Sequence, residues 1–112
     1  MSDRQDIATA LSTVDGIQGF KYRPTVVNTG DAFPLWAGET IALAQNYEVS
    51  WKILVVLPKT ERDAGAWVDE KKHHQIADAL LEVGYGIEIE PGTLSTEAGE
   101  RDLLIFTLRK EA

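Results

Sequence analysis

The sequence predicts an α+β domain: a mostly antiparallel sheet of four to five strands carrying two helices, in the order α-β-β-β-α-β-β. Three observations carry this. The run "NYEVSWKILVVLP" at 46–58 alternates for long enough to be a full-length strand. Helix-capping signatures stand at Ser2 and Thr60. The other apolar runs are of strand length and surround a single helical segment in mid-chain, which suits an antiparallel sheet with both helices on one face.

Taken in order, Ser2 followed by Gln5 has capping-box spacing, and Ile7, Leu11 and Val14 fall on one helical face. Ala8 and Ala10 favour that helix by propensity, and Gly16 can end it in a left-handed conformation. "GFKYRPTVV" sets Phe20 and Tyr22 against Lys21 and Arg23, the pattern of a strand covered on one face. Pro24 cannot donate to a ladder, so that strand lies at an edge or stops there.

Residues 23–40, "RPTVVNTGDAFPLWAGET", carry two prolines, two glycines, an Asn and an Asp and read as loop, with "FPLWA" as a short extended piece or weak strand that Pro34 keeps out of a central position. Phe33, Pro34, Leu35 and Trp36 sit in its middle, and large apolar groups on a surface loop need a cover. In the long strand that follows, Tyr47, Val49, Trp51, Ile53, Val55 and Leu57 share one face. The other face begins polar and turns apolar at Leu54 and Val56, so its second half is covered on both sides.

Thr60 and Asp63 open a helix expected over about 61–82. Its apolar residues disagree: Ala64, Trp67 and Val68 point one way, Ile76, Ala77, Leu80 and Leu81 nearly the opposite way. Either the helix breaks at the polar run "DEKKHH", or its first half packs on something else, such as a partner subunit. "YGIEIEP" reads as a strand, "GTLSTEAGE" as a polar loop, and "RDLLIFTLRK" as a final strand interior to the sheet.

The 112 residues make one domain, 1–112, with an extended loop or arm at about 24–45. A formal net charge of −7 argues against duplex binding, which draws its affinity from Lys and Arg on phosphates. No apolar run approaches a membrane span, and the polar "MSDRQDIATA" is no signal peptide. The chain has no cysteine, so disulfide and thiolate chemistry are excluded.

The residue pattern offers no catalytic, cofactor or metal site. His73 and His74 are adjacent on a helix and point about 100° apart, whereas a helical metal pair needs i, i+4 spacing. Glu88 and Glu90 share a strand face about 7 Å apart, a spacing open to acid/base chemistry or to a plain polar surface. Gly84-Tyr85-Gly86 precedes a strand and opens no helix, so it is not a dinucleotide fingerprint. Trp51 reads as core, Trp67 as core or interface, and Trp36 as an interface residue or part of a lid on the sheet.

The run from "STVDGIQGF" through "YRPTVVNTGDAFPLWAG" to "YEVSWKILVVLPKTERDAGAWVDE" resembles tail terminator (tail completion) proteins of long-tailed bacteriophages, especially those of actinobacterial hosts. It covers roughly the first 70 residues, and the remainder agrees in element order. The resemblance implies a non-enzymatic virion protein at the tail–neck junction, assembled in the host cytoplasm, with no cofactor. It implies a homo-hexameric ring that caps the head-proximal end of the tail tube, stops its polymerisation and receives the head–tail connector. DNA passes through such a ring without specific binding.

A closed ring needs two different patches per subunit. Phe33, Pro34, Leu35, Trp36 and Trp67 are the candidates for subunit or tube contact. Glu88, Glu90, Glu97 and Glu100 are candidates for an acidic lumen lining that keeps DNA from adhering. The alternatives are another neck protein (a head–tail stopper or adaptor), a dimeric α+β ligand-binding domain with Phe33–Trp36 as a lid, or a small enzyme using Glu88 and Glu90.

Overall fold

The computed structural model describes residues 2–43 and 46–111. Among them the element order is α1 (Asp3–Ser12), β1 (Gln18–Gly19), β2 (Asp31–Leu43), β3 (Asn46–Val56), α2 (Glu61–Asp69), α3 (Lys72–Leu80), β4 (Tyr85–Thr96) and β5 (Gly99–Glu111). The five strands form one sheet in the order β1-β2-β3-β5-β4. Every pairing is antiparallel except the two-residue contact of β1 with β2. This is the expected α+β class, with a third helix.

The two capping signatures act as expected. The Ser2 hydroxyl accepts from Gln5 N at 3.2 Å, and Thr60 accepts from Asp63 N at 3.1 Å. The expected 61–82 helix breaks after Glu70, where Lys71 adopts a left-handed φ of 58°. The break re-aims the chain. Ala64, Trp67 and Val68 of α2 and Ile76, Ala77 and Leu80 of α3 therefore pack against the same core, and the first half needs no partner subunit to explain its pattern.

That core lies between the three helices and one sheet face. Ile7 and Leu11 of α1 and Ile76 and Leu80 of α3 close on Val49, Trp51, Ile53 and Val55 of β3 and Leu104, Phe106 and Leu108 of β5. Fully burying a side chain such as Phe106 or Leu80 stabilises by about 1.5–3 kcal/mol. Asp3 fastens α1 to the sheet: one carboxylate oxygen meets Lys110 Nζ at 2.6 Å, the other accepts from Trp51 Nε1 at 3.3 Å. Gly19 permits the close approach of α1 to β1, since a Cβ there would lie 2.3 Å from the Ala8 carbonyl oxygen.

Part of the opposite face is covered by chain without regular structure. The strand expected over "GFKYRPTVV" is only Gln18–Gly19, and residues 20–30 cross the sheet as an irregular cover. Phe20 and Val27 pack on a second cluster of Phe33, Leu54 and Leu103. Arg101 holds the cover by donating to Thr29 Oγ1 and to the Leu57 carbonyl, and Arg23 reaches the Ser95 carbonyl at 2.9 Å. With no regular ladder of its own, this segment is tied down by side chains from β5 and by its apolar contacts.

One expected loop is strand, and the short extended piece expected at "FPLWA" belongs to a long one. From Asp31 onward the 23–40 stretch is β2, paired with β3 from Ala32↔Val55 to Leu43↔Asn46. Pro34 is tolerated because β1 covers only Asp31 and Ala32, leaving the rest of β2 an edge. The Ala32 carbonyl points outward, accepting from Phe20 N, so by alternation the nitrogen of Pro34 also faces away from β3. "GTLSTEAGE" is likewise mostly strand: β4 and β5 form a hairpin in which Thr96 pairs with Gly99 around Glu97-Ala98. β5 lies inside the sheet, as its two apolar faces require.

Candidate interaction surface

Residues 36–43 of β2 and 46–48 of β3 form an arm at one end of the sheet, and the longest dimension of the molecule is 48 Å. Two register shifts, at Trp36/Gly38 and Ile41/Leu43, twist it, and Gly38 sits at φ 115° with open space around it. The pairs Trp36↔Trp51 and Ile41↔Tyr47 lie on the helix-covered side by strand alternation. The helices do not reach that far. Trp36 is 57% exposed, Ile41 63% and Tyr47 49%, large apolar side chains on one face of the arm with exposed Glu39 between Trp36 and Ile41.

Beside these side chains, Arg4 organises the outer edge of β2. Its Nη1 donates to the Lys21 carbonyl at 2.8 Å and the Pro34 carbonyl at 3.1 Å. Its guanidinium lies 4.5 Å from the Tyr22 ring centroid and 5.1 Å from that of Trp51, a cation–π arrangement on both sides. Lys21 and Tyr22 are exposed there, as are Leu35 and Trp36 on the strand whose Pro34 carbonyl shares Arg4 with Lys21.

The other lateral edge of the sheet is β4. Tyr85, Glu88, Ile89 and Glu90 are all exposed along it. The Tyr85 hydroxyl donates to Glu48 Oε2 at 2.9 Å. That bond to a carboxylate, with desolvation and the Glu48 and Glu111 charges adding to it, raises the phenol above its ordinary pKa. The register carries two rows straight across the sheet: Pro34–Ile53–Phe106–Ile89 and Trp36–Trp51–Leu108–Ile87. The β2 edge around Trp36 and the β4 edge around Ile89 therefore stand at the same height on opposite sides.

The expected contact residues divide. Phe33 is 0% exposed and Pro34 is also fully buried, so both are covered by their own domain and are not contact residues. They are strand residues rather than a lid over a pocket, because the 20–30 segment covers Phe33. Leu35 and Trp36 are exposed. Trp67 is half-buried against the main core, its ring centroid 6.1 Å from that of His73.

The four acidic candidates do not form one patch. Glu88 and Glu90 pair with Thr107 and Ile105 on the face away from the helices, and Glu97 is in the hairpin turn. Glu100 falls on the other face by strand alternation. Among the described residues neither Glu88 nor Glu90 has an ion-pair partner.

His73 and His74 touch edge-on, ring centroids 4.4 Å apart, and His73 Nδ1 is buried without a partner among the described residues. Burial first, then the neighbouring His74 and Lys71, lowers the His73 pKa from 6.5. Among the described residues no group of three or more His, Cys, Asp or Glu is placed to hold a metal ion.

Sequence reasoning missed Arg4, Lys21, Tyr22, Ile41 and Tyr47. Tyr47 reads as core from alternation alone, which shows the face but not where the covering helices stop. A signal for Ile41 exists in hindsight: β3 alternates from its first residues, and so long a strand requires an equally long partner. No protein-family model matches the chain, and no curated protein is similar to it.

Proposed function

We propose that the protein is a structural component of a bacteriophage virion, a tail terminator that caps the head-proximal end of the tail tube. In this reading it is not an enzyme. Copies close into a homo-hexameric ring that halts tube polymerisation, presents a surface to the head–tail connector and lets DNA pass unbound. The observation that carries the reading is the arm: Trp36, Ile41 and Tyr47 lie exposed on one face beyond the helices. Large apolar groups exposed in this way on a small acidic domain call for a protein cover.

The small sheet with helices on one face also agrees with the fold that the sequence resemblance implies. The net charge of −7 suits a surface past which DNA must slide. Purified protein added to growing tail tubes tests the reading. Tubes should stop lengthening and carry a ring at one end in electron micrographs. Binding to connector protein with no effect on tubes would favour a stopper or adaptor instead. A protein that ignores both would overturn the reading.

A further inference from the structure

We infer that the two lateral edges of the sheet are the two halves of one head-to-tail contact, with β2 of one copy seated against β4 of the next. This deepens the ring reading above and rests on it. The two edges differ in charge. Residues 17–27, which flank β2, contain Lys21 and Arg23 and no carboxylate, and Arg4 lies against the same edge; in β2 itself Asp31 is buried and Glu39 is exposed out on the arm. Arg23 turns away to Ser95, and Arg4 is engaged by two carbonyls and two rings, which leaves Lys21 as the available cation of this edge. Strand β4 contains Glu88 and Glu90 and no Lys or Arg. Among the described residues none of Arg4, Lys21, Glu88 and Glu90 has an ion-pair partner within the domain.

Each edge also presents apolar groups beside its charges: Leu35, Trp36 and Tyr22 on one, Tyr85 and Ile89 on the other. The rows that end at Pro34 and Ile89, and at Trp36 and Ile87, set the two edges level, so a lateral neighbour brings the first against the second. The patches are not copies of each other, so the contact is heterologous and propagates around a ring rather than closing a two-fold dimer. Charge complementarity of this kind fixes register and partner choice. Glu88 and Glu90 then belong to the subunit contact and not to the lumen.

The absence of cysteine allows a direct test. Trp36→Cys and Ile89→Cys are made as separate full-length variants and treated with a short bismaleimide, alone and mixed. The mixture should give cross-linked product at least about tenfold above either variant alone, and Glu88→Lys with Glu90→Lys in the Ile89→Cys chain should reduce it about as much. Lys21→Glu in the Trp36→Cys chain should restore it. Equal cross-linking of either variant with itself, or indifference to the charge reversals, overturns the contact. Sedimentation separates the two levels. Oligomers without the 36–89 cross-link sink this contact and spare the ring, whereas a protein that stays monomeric sinks the contact and leaves the ring to the tube-capping experiment.

Discussion

Trp36 and Trp51 face each other across the β2–β3 ladder, yet Trp51 is 7% exposed and Trp36 57%. The difference lies in what reaches each ring. Trp51 is held by the Asp3 carboxylate and the Arg4 guanidinium of α1, while Trp36 stands on the outer strand.

Trp36→Ala should therefore leave the isolated domain nearly as stable as before, within about 0.5 kcal/mol as for a surface substitution. Phe33→Ala, three residues away in the same strand, should cost about 3–5 kcal/mol because it empties the second core cluster. Urea melts of the two variants check this. A loss for Trp36→Ala comparable to that for Phe33→Ala would show that Trp36 belongs to the domain's own core.

The Asp3 carboxylate joins both ends of the described chain to the sheet. Asp3 and Lys110 are partly screened from solvent, with side chains 31% and 15% exposed. Asp3→Ala should lower stability by about 1.5–3 kcal/mol, the range for hydrogen bonds to charged groups. A double-mutant cycle with Lys110→Met should show coupling, and hydrogen exchange should report α1 opening first. Additive losses would mean that the pair contributes nothing as a pair.

His73 makes stability depend on pH. In the unfolded chain the imidazole titrates near 6.5, and in the fold it titrates lower. Between those two values the unfolded chain binds more protons, so acidification favours unfolding. The contribution is fully present above about pH 6.5 and is lost as the pH falls towards the folded value. The melting temperature of the wild type should fall more steeply than that of His73→Phe between about pH 7.5 and 5.5. Parallel curves would remove His73 from the account.

Lys71 supplies the break between α2 and α3 from a conformation that favours glycine. Lys71→Gly should stabilise by roughly 0.5–1 kcal/mol, and Lys71→Val should destabilise by a similar amount. Thermal melts check the order. If Lys71→Gly is the less stable, the side chain makes a contribution larger than the backbone strain it imposes.

Much of the fold was legible because the strongest signals are local. Alternation from Tyr47 to Leu57 placed β3, and the capping hydroxyls of Ser2 and Thr60 placed the starts of α1 and α2 but not their ends. The apolar run of β5 on both faces placed it inside the sheet. What misled was composition. Pro34, Gly38 and the Asn-Thr-Gly before them argue for a loop, but an edge strand accepts a proline whose nitrogen points outward, and a register shift accepts a glycine. The cover by residues 20–30 was invisible for the converse reason. Alternating Phe20 and Tyr22 look like a strand, but the ladder ends where Phe20 N donates to the Ala32 carbonyl, and beyond it side-chain bonds from Arg4 and Arg101 hold the segment in place of a ladder. The candidate surface was half legible. Trp36 stood out as an aromatic in a polar setting, whereas its neighbours Ile41 and Tyr47 could be found only by seeing where the helices end.

The interior position of β5 has a consequence for biosynthesis. Ribosomes deliver the sheet in the order β1, β2, β3, β4, β5, but β5 sits between β3 and β4. Until its residues emerge, β3 has one bare flank and β4 has no neighbour at all. The nascent chain thus carries helices and a hairpin but lacks the strand that joins them, and the domain closes in a single late event. The same ordering leaves the bare flank of β3 open to premature pairing with another molecule until β5 arrives to fill it.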